Sequence, residues 1–222
     1  MKNLSFDNLL DIYERFGKSA QDALDFVKRN ICEGKDDAAA TTGTSDEVNN
    51  QGPLEDGVYV VYSDGYPVPF SDGMEKSDVS HLGIIHDGHR VGIPLQGYYE
   101  PQPLFKKDNF PADSHCLNEI DALLNWDFVG ETEYLKALGL NIPLKKDHYI
   151  PTLPVWLAMY AKREILNKAL NYFGGEPIDF EQDYWLAQRY NVNIAWFFYG
   201  FNGSFDDRFV PSSLAVRGCT LL

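Results

Sequence analysis

The sequence predicts an α+β fold, and three observations predict it. Strand-like segments come first, helical segments follow, and strand-like segments return, whereas a parallel α/β sheet would alternate single strands with single helices. The runs HLGIIH and HRVGIPL flank Asp87-Gly88, a two-residue hairpin signal that makes the first sheet antiparallel. Hydrophobic residues make up 44% of the 222-residue chain and aromatic residues 14%, enough to pack a sizeable core.

Residues 1–34 form an amphipathic helical pattern. With Phe6, Tyr13, Ala20 and Val27 at heptad position a, the d positions are Leu9, Phe16, Ala23 and Asn30, and the e positions Leu10, Gly17, Leu24 and Ile31. Three apolar positions in each seven mark a helix that buries a face rather than a narrow coiled-coil seam. Asp7, Asp11, Lys18, Asp22 and Lys28 occupy the opposite face, and Gly34 offers a stop. Phe6, Leu9, Leu10, Tyr13, Phe16, Leu24, Val27 and Ile31 are therefore the expected docking stripe, for a partner or for another copy. An acidic linker follows at 35–56. Residues 32–56 hold seven acidic residues and one lysine, with Val48 and Leu54 the only large aliphatic side chains, too little apolar surface to offset ordering.

Residues 57–110 read as a small β-rich region: GVYVVYS is a strand, SDG at 63–65 and 71–73 are turns, and the Asp87-Gly88 hairpin follows. The second region, 111–222, opens with a helical face of Leu117, Ile120, Leu123 and Leu124, then ETEYLKALG ending at Gly139. One longer helix is expected from Pro154 to about Phe173, with Trp156, Met159, Tyr160, Ile165, Leu166, Ala169 and Leu170 at helical spacing and Gly174-Gly175 as the stop. DYWLAQRY, NIAWFFYGF, a turn at Asn202-Gly203 and LAVRGCTLL complete the chain as strands. Both faces of Ile194–Phe201 are apolar, so Trp196, Phe197 and Phe198 are expected in the core of a central strand, with Cys219 also buried.

Charge and cysteine usage exclude several functions. A net charge of −14, from 33 acidic and 19 basic residues, lacks the cations that nucleic acid or anionic lipid would require. No apolar run reaches the roughly 18 residues that a membrane span needs. Cys32, Cys116 and Cys219 are three widely spaced cysteines, neither a disulfide framework nor a cysteine-rich zinc site. Asp7, Asp11 and Glu14 interrupt any apolar signal core, so synthesis and retention in a cytoplasm are expected.

Several segments of the second half occur in a recognisable order. Tyr149-Ile150-Pro151-Thr152-Leu153 opens the long helix and Gly174-Gly175-Glu176-Pro177 closes it. Tyr184-Trp185, Tyr190-Asn191, Ala195-Trp196, Asn202-Gly203-Ser204 and Val216-Arg217 follow. Upstream, Asp127-Phe128-Val129-Gly130 before Thr132 looks like a helix start, and Gly57-Val58-Tyr59 with Asp64-Gly65 like a preceding β region. This order resembles the bacterial and phage branch of the C-type-lectin-like family, related to formylglycine-generating enzymes and to retroelement-diversified variable proteins. The resemblance spans residues 57–222 and implies a C-type-lectin-like domain at 111–222. Pro154 stands where the family has glycine, and Leu186-Ala187-Gln188 replaces a Ser-Ser-Thr run, so a pocket lined by those hydroxyls is not implied.

The chemistry read from the residues is that of binding. Calcium sites of this fold use a Glu-Pro-Asn loop and a Trp-Asn-Asp strand; here Ile178 follows Glu176-Pro177 and Phe197 follows Trp196. Cys219 has no near cysteine partner of the kind the formylglycine-generating enzymes use, and His86 and His89 flank a turn. His115-Cys116 with Glu119 lacks a third orienting group for nucleophilic catalysis. No cofactor, metal or enzymatic activity is expected. Aromatic density is the compositional anomaly: ten of the 26 residues 184–209 are Phe, Trp or Tyr. Around them lie Arg189, Tyr190, Asn191, Asn193, Asn202, Ser204, Asp206, Asp207 and Arg208, the Tyr, Asn, Ser and Arg mixture of an adaptable binding surface. These nine are the expected ligand-binding residues. The function expected is a non-enzymatic binding and display module, a fibre or decoration component of a phage virion made in the host cytoplasm. The helix would hold it to other virion proteins or to itself as a homo-oligomer, and a host-surface glycan or protein would be the ligand. The alternative is a cytoplasmic partner-binding lectin-like protein.

Overall fold

The computed structural model describes residues 54–106 and 117–222, which belong to one compact unit. The docking stripe of residues 1–34 and nearly all of the linker lie outside the described residues. The architecture is α+β, with nine strands in two sheets and four short helices among the described residues.

The first sheet has the order β2-β1-β3-β4, from β1 (Gly57–Tyr62), β2 (Pro67–Pro69), β3 (Val79–His86) and β4 (His89–Pro94). Asp87 (φ 48°) and Gly88 (φ 76°) turn β3 into β4 in the left-handed region, which matches the twist of the paired strands. Val58 and Val60 of β1 pair across to Ile84 and Leu82, and these to Val91 and Ile93, giving one continuous buried aliphatic face.

The second sheet has the order β5-β9-β6-β7-β8, from β5 (Tyr98–Gln102), β6 (Asp183–Asn191), β7 (Ile194–Tyr199), β8 (Phe205–Phe209) and β9 (Leu214–Arg217). β5 pairs with β9, so the division expected after residue 110 does not separate the sheets; the chain passes from one to the other between Pro94 and Tyr98. A local hydrophobic pattern shows that a strand exists but not which distant strand it joins.

Helices cover both faces of this sheet. On one side lies α2 (Phe128–Ala137), which follows α1 (Glu119–Leu124) in the chain and whose start Asp127 caps by accepting the Gly130 N–H at 2.8 Å. Leu135 of α2, Phe105, Ile142 and Ile150 pack there against Trp185, Phe197 and Val216. On the other side α3 (Leu153–Ala161) stacks Trp156 on Phe198 at 5.1 Å and against Tyr184 at 4.5 Å. α3 also touches β3, which places it between the sheets.

Two helical expectations are corrected. The single helix from 154 to 173 is two: α3 ends at Ala161, Lys162 leaves helical geometry (φ −105°, ψ 10°), and α4 (Arg163–Tyr172) follows. The reason is burial. α3 is enclosed nearly all round, whereas α4 buries only Leu166, Ala169 and Leu170, and a straight continuation could not serve both environments. Ile165 accordingly stays exposed, as do Ile120 and Leu124 of α1, whose buried residue is Ala122. The last strand is also shorter than LAVRGCTLL. After Arg217 the chain becomes a strap, pairing Gly218 with Gly97, Cys219 with Tyr149 and Thr220 with Gly92.

Candidate functional site

The five-stranded sheet comes apart at one end. β6 and β9 run parallel and begin there, while β5, antiparallel to β9, ends there. β6 and β9 are in register only at Tyr184 and Ala215, and the β5–β9 register shifts between Tyr99 and Gln102. The diverging strands leave an open groove of about 430 Å3. β5 supplies Tyr98, Glu100 and Pro101, the entry to β6 supplies Gln182 and Asp183, and the entry to β9 supplies Ser213 and Leu214.

A hydrogen-bonded frame holds these positions. Glu176 Oε2 accepts the N–H groups of Gly97 (2.9 Å) and Tyr98 (3.0 Å) and lies 3.5 Å from Nη1 of Arg217. Arg217 is buried and donates from Nη2 to the Pro94 carbonyl at 2.8 Å, tying both sheets together; burial lowers its pKa to about 10, with Glu176 opposing the shift. The Tyr98 hydroxyl donates to Gln182 Oε1 at 3.0 Å, and the Gln182 amide donates to Asp179 Oδ2 at 3.0 Å. Burial raises the Asp183 carboxyl above its ordinary value, against the pull of the Arg208 guanidinium 3.6 Å away. Away from the groove, buried Gln188 links two helices to β6. Its Oε1 accepts the Leu153 N–H that opens α3, and its amide donates to the Ala122 carbonyl of α1.

The nine residues expected from sequence do not converge. Tyr190, Asn191 and Asn193 lie at the β6–β7 turn, while Asn202 lies on the β7–β8 turn, with the six residues of β7 between them, about 20 Å at 3.3 Å per residue. Asp206, Asp207 and Arg208 lie along the edge strand β8, where successive side chains alternate faces. Arg189 and Ser204 are each 1% exposed, which corrects their placement on a displayed surface. Arg189 turns inward, donating to the Val192 carbonyl at 2.8 Å, and Ser204 bonds the Asn202 side chain at 2.7 Å. Two of the nine adjoin the groove: Arg208 through Asp183, and Asn202 on the turn whose Gly200 N–H donates to the Gln182 carbonyl. That turn also carries Phe201, which is 82% exposed. Sequence reasoning misses Tyr98, Glu100, Gln182, Asp183 and Ser213. Their one sequence signal is the density of acids in Glu176–Asp183; the partner strand β5 is some 80 residues distant and carries no local mark of its pairing.

The hairpin histidines have carboxylate neighbours that the sequence does not place. Asp56, His86 and Asp87 form a cluster of side chains, with His86 Nδ1 3.3 Å from Asp56 and Nε2 3.9 Å from Asp87. The carboxylates face opposite nitrogens of one ring, and Asp56 already accepts the Asp87 N–H at 3.0 Å, so the group works as a clasp on the turn. Among the described residues no helix is long and apolar enough to cross a membrane.

The described residues thus define an α+β domain of two linked sheets with an open groove at the end of the larger one. No family model matches the sequence, and no curated protein matches it. Among solved structures the fold is similar to that of a fimbrial protein from Bacteroides ovatus, with a TM-score of 0.52 and 11% identity over 76% of this chain. The matched region spans 49% of that protein's length, and at this identity the likeness is one of fold.

Proposed function

We propose that this protein is a non-enzymatic binding and display module whose ligand enters the sheet-end groove. The observation that carries the reading is the groove itself: an open, shallow surface held on a frame of part-buried hydrogen bonds, with exposed Phe201 and Asn202 on the turn beside Gln182. The similarity in fold to a fimbrial protein supports a display role. The C-type-lectin-like identity of the domain is part of the proposal. It is supported by where the motif segments fall: Tyr184-Trp185 and Ala195-Trp196 in adjacent buried strands, Asn202-Gly203-Ser204 at the turn after β7, Gly174-Gly175 at the end of α4, and Val216-Arg217 on β9. We assign the protein to a phage particle, as a fibre or decoration component, with residues 1–34 attaching it to another virion protein or to a second copy. The test is to complement a phage lacking this gene with full-length or 1–34-deleted protein and blot the purified particles. Full-length protein in particles and the deleted form left in the supernatant is the expected result. Absence of both from particles would refute the virion assignment.

A further inference from the structure

We propose that Asn202 is a modification site: with no enzyme, its side chain converts to a mixture of aspartate and isoaspartate, and Ser204 promotes the reaction. Asn202-Gly203 is the chain's one Asn-Gly pair, and Asn202 is exposed on the turn between β7 and β8. The fold polarises the electrophile. Asn202 Oδ1 accepts the Ser204 N–H at 3.0 Å and the Ser204 hydroxyl at 2.7 Å. A backbone N–H can only donate, which fixes the oxygen of the amide, rather than its nitrogen, on this side. Both donors aim at the atom where negative charge gathers when the Asn202 side-chain carbonyl is attacked, the arrangement of an oxyanion hole. Ser204 is 1% exposed, so water does not compete for its hydroxyl.

The nucleophile is the next atom group along the chain. The backbone nitrogen of Gly203 has no Cβ beside it to obstruct attack. Packing keeps glycine there: its φ is 71°, and a Cβ would meet the Tyr160 ring at 2.6 Å. One contact opposes the reaction, because the Gly203 N–H donates to the Tyr199 carbonyl at 3.0 Å and must be released. That is one neutral hydrogen bond lost, against two that become charge-assisted, and so roughly twice as strong, as charge builds on Oδ1. In the first step hydroxide takes the Gly203 amide proton, and the nitrogen lone pair forms a bond to Cγ of Asn202. The tetrahedral centre then collapses, the Cγ–Nδ2 bond breaks, and Nδ2 takes a proton from water and leaves as ammonia. Water adds to either carbonyl of the resulting cyclic imide and opens it. The net exchange is ammonia for water, with no oxidant or reductant. One opening leaves aspartate; the other routes the main chain through the side-chain carbon and lengthens the turn. Either product adds a negative charge beside exposed Phe201, so the turn changes in charge and shape as the protein ages.

The test incubates the full-length protein at mildly alkaline pH and follows position 202 by peptide mass mapping, with enzymatic methylation of isoaspartate as a second readout. Asn202→Gln sets the background from the other asparagines, and Ser204→Ala removes the hydroxyl donor. The expected result is that Asn202 of the folded wild type exchanges ammonia for water, and that Ser204→Ala slows the exchange roughly fivefold to tenfold, the loss of one charge-assisted hydrogen bond in the transition state. Melting curves show whether Ser204→Ala is folded. If it is not, wild type in buffer is compared with wild type in urea, and the folded chain should react at least as fast as the unfolded one. An Asn202 that stays intact in the folded wild type would overturn the proposal. An unchanged or faster reaction in folded Ser204→Ala would do the same, as would a folded-state rate roughly tenfold below that in urea, because the turn would then protect the residue.

Discussion

Trp185 shows how much one side chain holds. It is fully buried on β6, packs with Phe197, Val216 and Leu135, and its indole N–H donates to the Gln102 carbonyl at 3.0 Å. Replacing it with alanine removes a large apolar volume and strands a carbonyl. Trp185→Ala should cost about 3–5 kcal/mol, read as a lowered denaturant midpoint with the m-value retained. A midpoint equal to wild type would mean that Trp185 is not in the core. His148 sets a pH dependence. Its Nδ1 lies 2.7 Å from the Tyr99 hydroxyl, and burial, then Lys145 and Arg217, hold its pKa below 6.5, with Asp147 opposing. His81 and His89 are lowered by burial as well. A lowered histidine is neutral in the fold while the unfolded chain takes up the proton, so the unfolded state is favoured as pH falls. Stability should therefore hold above pH about 6.5 and decline below it until the folded-state values are passed. His148→Gln should flatten part of that decline, measured by urea unfolding between pH of about 7.5 and 5. An unchanged slope would place the dependence elsewhere.

At the scale of elements, the C-terminal strap depends on two glycines that face each other across β3 and β4. A Cβ on Gly83 would meet Leu222 Cδ1 at 2.7 Å, and one on Gly92 would meet the Leu221 carbonyl at 2.6 Å. The pair forms a slot that receives the strap, and Gly92 and Thr220 exchange two backbone hydrogen bonds at 2.8 Å. Gly92→Ala should lift the strap and cost about 1–3 kcal/mol, the range for overpacking a filled site. Hydrogen exchange should locate the destabilisation at Thr220; if its amide stays as protected as in wild type, the slot does not set the strap. The sheet edges are blunted too. β2 carries Pro67 and Pro69, β5 carries Pro101, β8 presents Asp206, Asp207 and Arg208, and the strap covers β4 at Gly92. These features disfavour the addition of a further strand at the sheet edges.

At the scale of the molecule, Leu54–Leu222 is one compact unit with its two sheets joined by Arg217, α3 and the strap. A fragment of residues 54–222 should fold with a melting temperature close to that of the full chain and a sharp near-ultraviolet aromatic signal. A molten or insoluble fragment would show that residues 1–53 complete the core. The sequence by itself determined the α+β class, the Asp87-Gly88 hairpin, the buried β7 aromatics Trp196, Phe197 and Phe198, the burial of Cys219, and the helix ends at Gly139 and Gly174. Each of these depends on residues adjacent in the chain, where periodicity and turn chemistry act directly. Only the tertiary structure decided that the helix breaks at Lys162, that Arg189 and Ser204 turn inward, that β5 leaves the first region for β9, and that β5, β6 and β9 diverge at one end of the sheet. The physical reason is range. A local pattern sets which face of an element is apolar, but long-range pairing chooses the neighbour that covers it, and the groove exists only where three strands from distant parts of the chain diverge.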